Sequence, residues 1–302
     1  MSEAAFVDIE CDGRTISLEY AWIGATRSLR PGPASRGEIR STPHPRPLPA
    51  SRGEAVDAPL VVFLHEGLGS VSMWKDYPQR LCDAGGFRGL VYSRPGYGRS
   101  TPRRPDERWP VDFMHREARD VLPRLFARLR VGAGGDKPWL FGHSDGGSIA
   151  LIHAATFPVA GVIAVAPHIF VEDVSIRSIA AAREAYETGD LRARLARHHD
   201  DPDSAFWGWN NVWLDPAFRD FSLEDVLVRL RCPILAAQGA DDEYGTLAQI
   251  TGIRARVPHA KLLALANCGH SPQRDQPEAL TRAVTDFIMR HSQGAPIEGG
   301  VS

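Results

Sequence analysis

The sequence predicts a single-domain α/β fold, a mostly parallel central sheet flanked by helices with one helical insertion, and three observations carry that prediction. Short apolar runs alternate with helical stretches from about residue 59 onward, the order that a sheet with crossover helices requires. The runs are continuously apolar rather than alternating, as in strands covered on both faces. One stretch, Asp173 to Leu230, is helical in pattern and interrupts the alternation without a strand of its own.

Taken in order, Ala5–Ile23 reads as a hairpin around the turn Cys11-Asp12-Gly13-Arg14. Residues 28–58 change character, with six prolines, five arginines and the hexapeptide PASRGE twice, at Pro33–Glu38 and Pro49–Glu54. Two copies without an apolar face do not make a repeat architecture, and the segment reads as a flexible insert. A proline-rich docking ligand is the competing reading.

Leu60–His65 is the first buried strand, and Ser70–Ala84 a helix with Met73, Trp74, Tyr77 and Leu81 at helical spacing. Leu90–Ser93 is a strand leading into the loop RPGYGRS. Met114, Ala118, Val121, Leu122, Leu125 and Leu129 share one helical stripe, kinked at Pro123. Trp139–Gly142 is a strand and Gly146–Phe157 a helix; Val162–Ala166, Ile234–Ala237 and Leu262–Leu265 are further buried strands. The last helix covers Glu278–Met289. Residues 173–230, with Trp207, Trp209 and Trp213 close together, are expected to form a lid over the carboxyl edge of the sheet, where open α/β sheets bind ligands.

Composition excludes several classes. The net charge is −2, and the 32 arginines are scattered beside only three lysines, so no basic field for nucleic acid exists. The uncharged stretch Gly146–Val171 is interrupted by His153, Pro158, Gly161, Pro167 and His168, and reads as a helix and a strand rather than a membrane span. The amino terminus lacks a signal-peptide order, and Cys11, Cys82, Cys232 and Cys268 have no disulfide or zinc spacing. The expected setting is cytoplasmic, with no metal or organic cofactor and a small-molecule substrate as partner.

The chemistry concentrates in Gly142-His143-Ser144-Asp145-Gly146, a G-x-S-x-G between an apolar strand and a small-residue helix. Glycines two before and two after the serine leave room for a sharp turn that lifts its hydroxyl clear of the sheet. Three loops follow other strands in compatible order. His65-Glu66-Gly67-Leu68-Gly69 can present a backbone N–H toward the serine, with the N–H of Asp145 as a second donor. Gly239-Ala240-Asp241-Asp242 carries carboxylates at a strand end, and Gly269-His270-Ser271-Pro272 an imidazole.

With HEGLG, SRPGYGRS, GHSDGG, QGADD and CGHSPQRDQPE in this order, the chain from Pro59 onward resembles the α/β-hydrolase fold family with a helical cap. The resemblance implies Ser144 as nucleophile, His270 as general base and Asp242 as the acid orienting it, with oxyanion-hole amides from Gly67 and Asp145. Asp241 rivals Asp242. A serine at the elbow excludes the aspartate-nucleophile dehalogenases and epoxide hydrolases of the fold. The implied reaction is hydrolysis through an acyl-serine, on a small carboxylic ester first and a ring-cleavage diketone second. A ligand receptor or binding module that kept the fold and turns over slowly or not at all is the reading from another class.

Trp74, His168, Phe170, Glu172, Trp207, Trp209 and Trp213 are candidates for lining the pocket, each also explicable as packing. His143 is expected to point away from the site by strand alternation, and Cys268 to be inert. The run His198-His199-Asp200-Asp201 has metal-ligand chemistry but reads as a solvated loop. Glu66 and Asp145 depart from the family pattern. Asp145 reads as favourable charge in the first turn of a helix; the competing reading is that both acids hold a hydrogen-bond network or meet a polar or cationic substrate group.

Overall fold

The computed structural model describes residues 3–24 and 58–292. Apart from Ala58, the 28–58 insert lies outside the described residues. Among these residues eight strands form one sheet in the order β1-β2-β4-β3-β5-β6-β7-β8. The strands are β1 (Ala5–Cys11), β2 (Arg14–Ile23), β3 (Leu60–Leu64), β4 (Arg88–Tyr92), β5 (Trp139–His143), β6 (Gly161–Val165), β7 (Ile234–Gly239) and β8 (Lys261–Leu265).

The hairpin β1–β2 is antiparallel, β2 joins β4 antiparallel, and every later pairing is parallel. β3 therefore lies between β4 and β5, and chain order reverses direction across the sheet at β3. The crevice beyond the carboxyl ends of such neighbours is where open sheets collect ligands. The loops after β3, β4 and β5 meet there.

The helices are α1 (Tyr77–Gly85), α2 (Phe113–Arg116), α3 (Leu122–Leu129), α4 (Asp145–Ala154), α5 (Asp173–Thr188), α6 (Leu191–Leu195), α7 (Pro202–Trp213), α8 (Glu224–Leu227), α9 (Ala248–Arg256), α10 (Pro272–Asp275) and α11 (Pro277–Ser292). One core layer holds Ile149, Leu151 and Ile152 of α4 with Leu122 and Leu125 of α3. The opposite layer holds Leu81 of α1 with Leu280, Val284 and Ile288 of α11. Between β6 and β7 the chain is helical from Asp173 to Leu227, apart from a single bridge of Phe170 to Ser222. No helix among the described residues is long and apolar enough to cross a membrane.

The structure corrects four local expectations. The helix expected from Ser70 is only a 3₁₀ turn at Ser72–Trp74, and Lys75 at φ 53° separates it from α1. The kink assigned to Pro123 spreads upstream into a π turn, Glu117–Val121, between α2 and α3. Proline lacks the N–H that would bond back one turn and its ring crowds that carbonyl, so the preceding turn widens. The strand at Leu262–Leu265 is an edge rather than a buried element, with Leu262 36% exposed, because among the described residues nothing pairs beyond β8. The short helices α9 and α10 carry no clear apolar stripe and were not expected.

Candidate active site

Ser144 follows β5 and precedes α4 with φ 53° and ψ −120°, a strained conformation for any residue with a side chain. Its N–H is anchored on Val165 O at 2.8 Å. Two glycines make the turn possible. A Cβ at Gly142 would stand 2.1 Å from Gly146 O, and one at Gly146 would stand 2.1 Å from Leu64 O. No side chain fits either contact, so the motif spacing is steric in origin.

His270, in the loop after β8, brings Nε2 to 2.9 Å from Ser144 Oγ. Its Nδ1 lies 2.9 and 3.0 Å from the two carboxylate oxygens of Asp242, which follows β7. An ionised carboxylate only accepts, so the His270 proton sits on Nδ1 and leaves Nε2 to accept from the serine. Asp242 also accepts from Tyr244 N at 2.8 Å, Gly245 N at 3.2 Å and Gln238 Nε2 at 2.5 Å. Burial alone would raise the Asp242 carboxyl, but His270 and the Tyr244 N–H outweigh it and hold it below its ordinary value. Asp241, the rival, is exposed and makes no such contact with the imidazole.

The loop His65–Gly69 is pinned by its own histidine. Arg94 N–H donates to His65 Nε2 at 3.0 Å, so Nδ1 carries the proton and donates to Glu66 O at 2.7 Å. Burial, and then the Arg94 charge, push His65 far below the usual imidazole range, consistent with this neutral tautomer. Glu66 O takes two more donors, Arg94 Nη2 at 2.8 Å and Gly69 N at 3.1 Å. Gly67 lies directly beneath Trp209, whose Nε1 is 2.1 Å from where a Cβ would stand.

Both unexpected acids are taken up by protein partners. Asp145 is fully buried; its Oδ1 accepts from Trp213 Nε1 at 3.2 Å and its Oδ2 lies 3.6 Å from Arg94 Nη2. Burial pushes this carboxyl up, against the pull of Arg94 and Trp213. Burial acts the same way on Glu66, but His143, 3.5 Å from Glu66 Oε2, and His65 overcome it and hold that carboxyl at about 2. Asp145 also stands in the first turn of α4, so its charge position at the helix end and its bond from Trp213 are both present.

The remaining predicted positions divide. Trp213 presents its edge to His168 at 4.8 Å between centroids, and His168 lies 5.8 Å from His270 with a buried, unpartnered Nδ1. Burial lowers His168 to about 3 and keeps it neutral. Trp213 and His168 thus lie beside Asp145 and His270, and Trp209 lies over Gly67. Trp74 instead packs into the core against Phe63 and Phe141, Trp207 sits on Tyr186 and Phe206, and Phe170 lies toward α9 near Gly252. Glu172 accepts from Thr246 and Gln249, bracing the turn after Asp242.

Two histidines anchor loops, and the second departs from expectation. His143 reaches the His270 carbonyl through Nε2 at 2.7 Å, fixing the loop that carries the imidazole. His199 is buried rather than solvated, accepting from Gly98 N at 2.8 Å and reaching Leu68 O at 2.9 Å, so it ties the helical segment to the loops after β3 and β4. No group of metal-ligating side chains occurs among the described residues. Sequence reasoning missed Arg94, His65, Gln238 and Tyr244; only the position of Arg94 in RPGYGRS, just beyond a strand end, offered a signal.

A model of the alpha/beta hydrolase family matches residues 61–283, and the chain belongs to that family. It is 24% identical over 217 residues to the human serine hydrolase BPHL, covering 67% of this chain and 70% of that protein. It is likewise 24% identical over 269 residues to the bifunctional esterase/perhydrolase DCH of Acinetobacter calcoaceticus, covering 77% of this chain and 92% of that one. In structure it resembles the enol-lactonase from Burkholderia xenovorans LB400 with a TM-score of 0.64 at 19% identity, over 94% of this chain and all of that one.

Proposed function

We propose that the protein is a serine hydrolase that cleaves small carboxylic esters through an acyl-Ser144 intermediate. The observation that carries this reading is the continuous line Ser144 Oγ, His270 Nε2, His270 Nδ1 and Asp242, every link 2.9–3.0 Å. His270 takes the serine proton as Oγ attacks the ester carbonyl. The N–H groups of Gly67 and Asp145 stabilise the oxyanion; the Asp145 N–H lies in the first turn of α4, where backbone donors have no intrahelical acceptor. His270 then protonates the departing alcohol, and a water activated by the same imidazole releases the acid. The reaction as drawn uses only these side chains and amides.

Segment 173–230 acts as a cap in this reading, with Trp209 and Trp213 over the oxyanion side. Ser144 is only 6% exposed beneath them, which favours small or slender acyl groups. The relatives described as an esterase/perhydrolase and an enol-lactonase support an ester, open or cyclic, over a carbon–carbon bond. All four cysteines are free, which supports a reducing, cytoplasmic setting. The test is a series of p-nitrophenyl esters of rising chain length beside a vinylogous diketone. Short esters are expected to turn over with a burst that Ser144→Ala abolishes. Turnover that survives Ser144→Ala, or cleavage of the diketone alone, refutes the proposal.

A further inference from the structure

We propose that Arg94 is the positioning residue of the oxyanion hole, one buried guanidinium that aims the Gly67 amide through the Glu66 carbonyl and braces Asp145 through its carboxylate. This rests on the acyl-serine reading above and adds a residue outside the triad to it.

The sheet order supplies the direction. Arg94 follows β4, the loop His65–Gly69 follows β3, and Ser144 follows β5, with β3 in the middle. Glu66 O is drawn toward the β4 side by Arg94 Nη2 at 2.8 Å, while His65 Nδ1 and Gly69 N hold the same oxygen. Glu66 C=O and Gly67 N–H belong to one trans peptide, in which the two bonds point in opposite senses. Fixing the carbonyl toward β4 therefore turns the Gly67 N–H toward β5, the side of Ser144. The same Nη2 lies 3.6 Å from Asp145 Oδ2, and Asp145 carries the second amide.

Arg94 is buried between these acceptors and Tyr97, with the Glu117 carboxyl as a further electrostatic neighbour. Its side chain is 2% exposed, its guanidinium lies 4.5 Å over the Tyr97 ring, and its Nε is buried without a partner. A buried ion pair of this kind is weak evidence for stability, because desolvation offsets much of the attraction. Lysine is a weaker substitute, since its ammonium keeps the charge but lacks the planar group that lies over Tyr97 while it sets Nη2 between both acceptors.

The experiment compares Arg94→Lys and the double variant Arg94→Met/Asp145→Asn with the parent and with Ser144→Ala. The double variant removes the carboxylate that loss of Arg94 would strand, so it keeps the comparison open if the single variant does not fold. Melting temperature reports folding, p-nitrophenyl acetate gives kcat and KM, and phenylboronic acid probes a tetrahedral adduct on the serine. The expected result is a folded double variant with kcat down about 100-fold, the scale of one lost oxyanion donor. KM stays within about threefold, boronate affinity falls by a factor comparable to kcat, and Arg94→Lys lies between. A folded variant that keeps both kcat and boronate affinity within about threefold of the parent overturns the role of Arg94 alone. Ester turnover that survives Ser144→Ala overturns the hydrolase reading and this inference together.

Discussion

Replacing Asp242 by asparagine tests the site with one change of atom. The carboxylate holds two backbone N–H groups on Oδ1, those of Tyr244 and Gly245, and Gln238 Nε2 on Oδ2, while His270 Nδ1 meets both oxygens. The asparagine carbonyl keeps the place facing the two backbone donors, where an NH₂ group would oppose two N–H groups. Its NH₂ then faces His270 Nδ1, which must accept, and the imidazole proton moves to Nε2. That nitrogen stands 2.9 Å from Ser144 Oγ and no longer accepts the serine proton. A wrong tautomer in an intact triad costs about 10⁴ in kcat, or about 5.5 kcal/mol. Mispairing with Gln238 adds about 1–3 kcal/mol of lost stability. Steady-state kinetics on p-nitrophenyl acetate with parallel melts separates the two effects, with KM expected to stay constant. Asp241→Asn, at an exposed side chain, serves as the control and is expected to keep its activity. A kcat for Asp242→Asn within about tenfold of the parent, or a larger loss in Asp241→Asn, refutes the assignment of the acid.

Three further outcomes follow from particular contacts. Gly67→Ala drives a methyl into Trp209 Nε1 and is expected to cut kcat at least about tenfold; Trp209→Leu in the same chain should recover part of it, measured against the single variants. Glu117, buried beside Tyr92 and raised to about 7 chiefly by burial, keeps a proton that the unfolded chain loses near 4.5. The folded state therefore loses stability as pH rises from about 4.5 to 7, by at most about 3 kcal/mol. Melts of Glu117→Gln should show a gain over the parent at pH 8 that vanishes below pH 4.5, and a gain independent of pH would contradict this. Finally, Ile23 and Val61 both sit in register with Gly89, two strand spacings or about 10 Å apart. A four-residue glycine-serine bridge in place of residues 25–57 spans that gap and is expected to preserve fold and turnover, as judged by melting and kcat; loss of folding would show that the insert contributes to it.

Much of the fold was legible because the sheet is buried on both faces. Strands such as Leu60–Leu64 and Gly161–Val165 have no water-facing side to encode, so they appear as unbroken apolar runs. The same logic failed at β8, where Leu262 and Leu263 are apolar yet lie on an edge strand, since strand composition does not say what lies alongside. Elements without an apolar stripe escaped as well: α9 has only Ile250 and Ile253 as large apolar residues, and α10 is a single turn started by Pro272. The turn around Ser144 was legible because its spacing is forced sterically. Gly142 and Gly146 each face backbone at 2.1 Å, so the pattern around Ser144 survives as a local string.

What the string does not hold is the reason for its odd members. Asp145 read as an acid placed beside a site that must stabilise negative charge, a cost without a visible return. Its answer lies 51 positions upstream in Arg94 and 68 downstream in Trp213, two side chains that no local pattern links to the elbow. Glu66 is resolved the same way, by His143 across the β3–β5 pairing. Strand register brings these pairs together, and register is a property of the assembled sheet. The sharp turn that carries Ser144 is thus written in five consecutive residues, whereas the field around it is written across the fold. Neighbours that share the first and differ in the second should carry out the same step on different substrates. Exchanging Arg94, Asp145 and Trp213 together should therefore shift ester preference more than any one of them alone, and strictly additive effects on kcat/KM would refute that coupling.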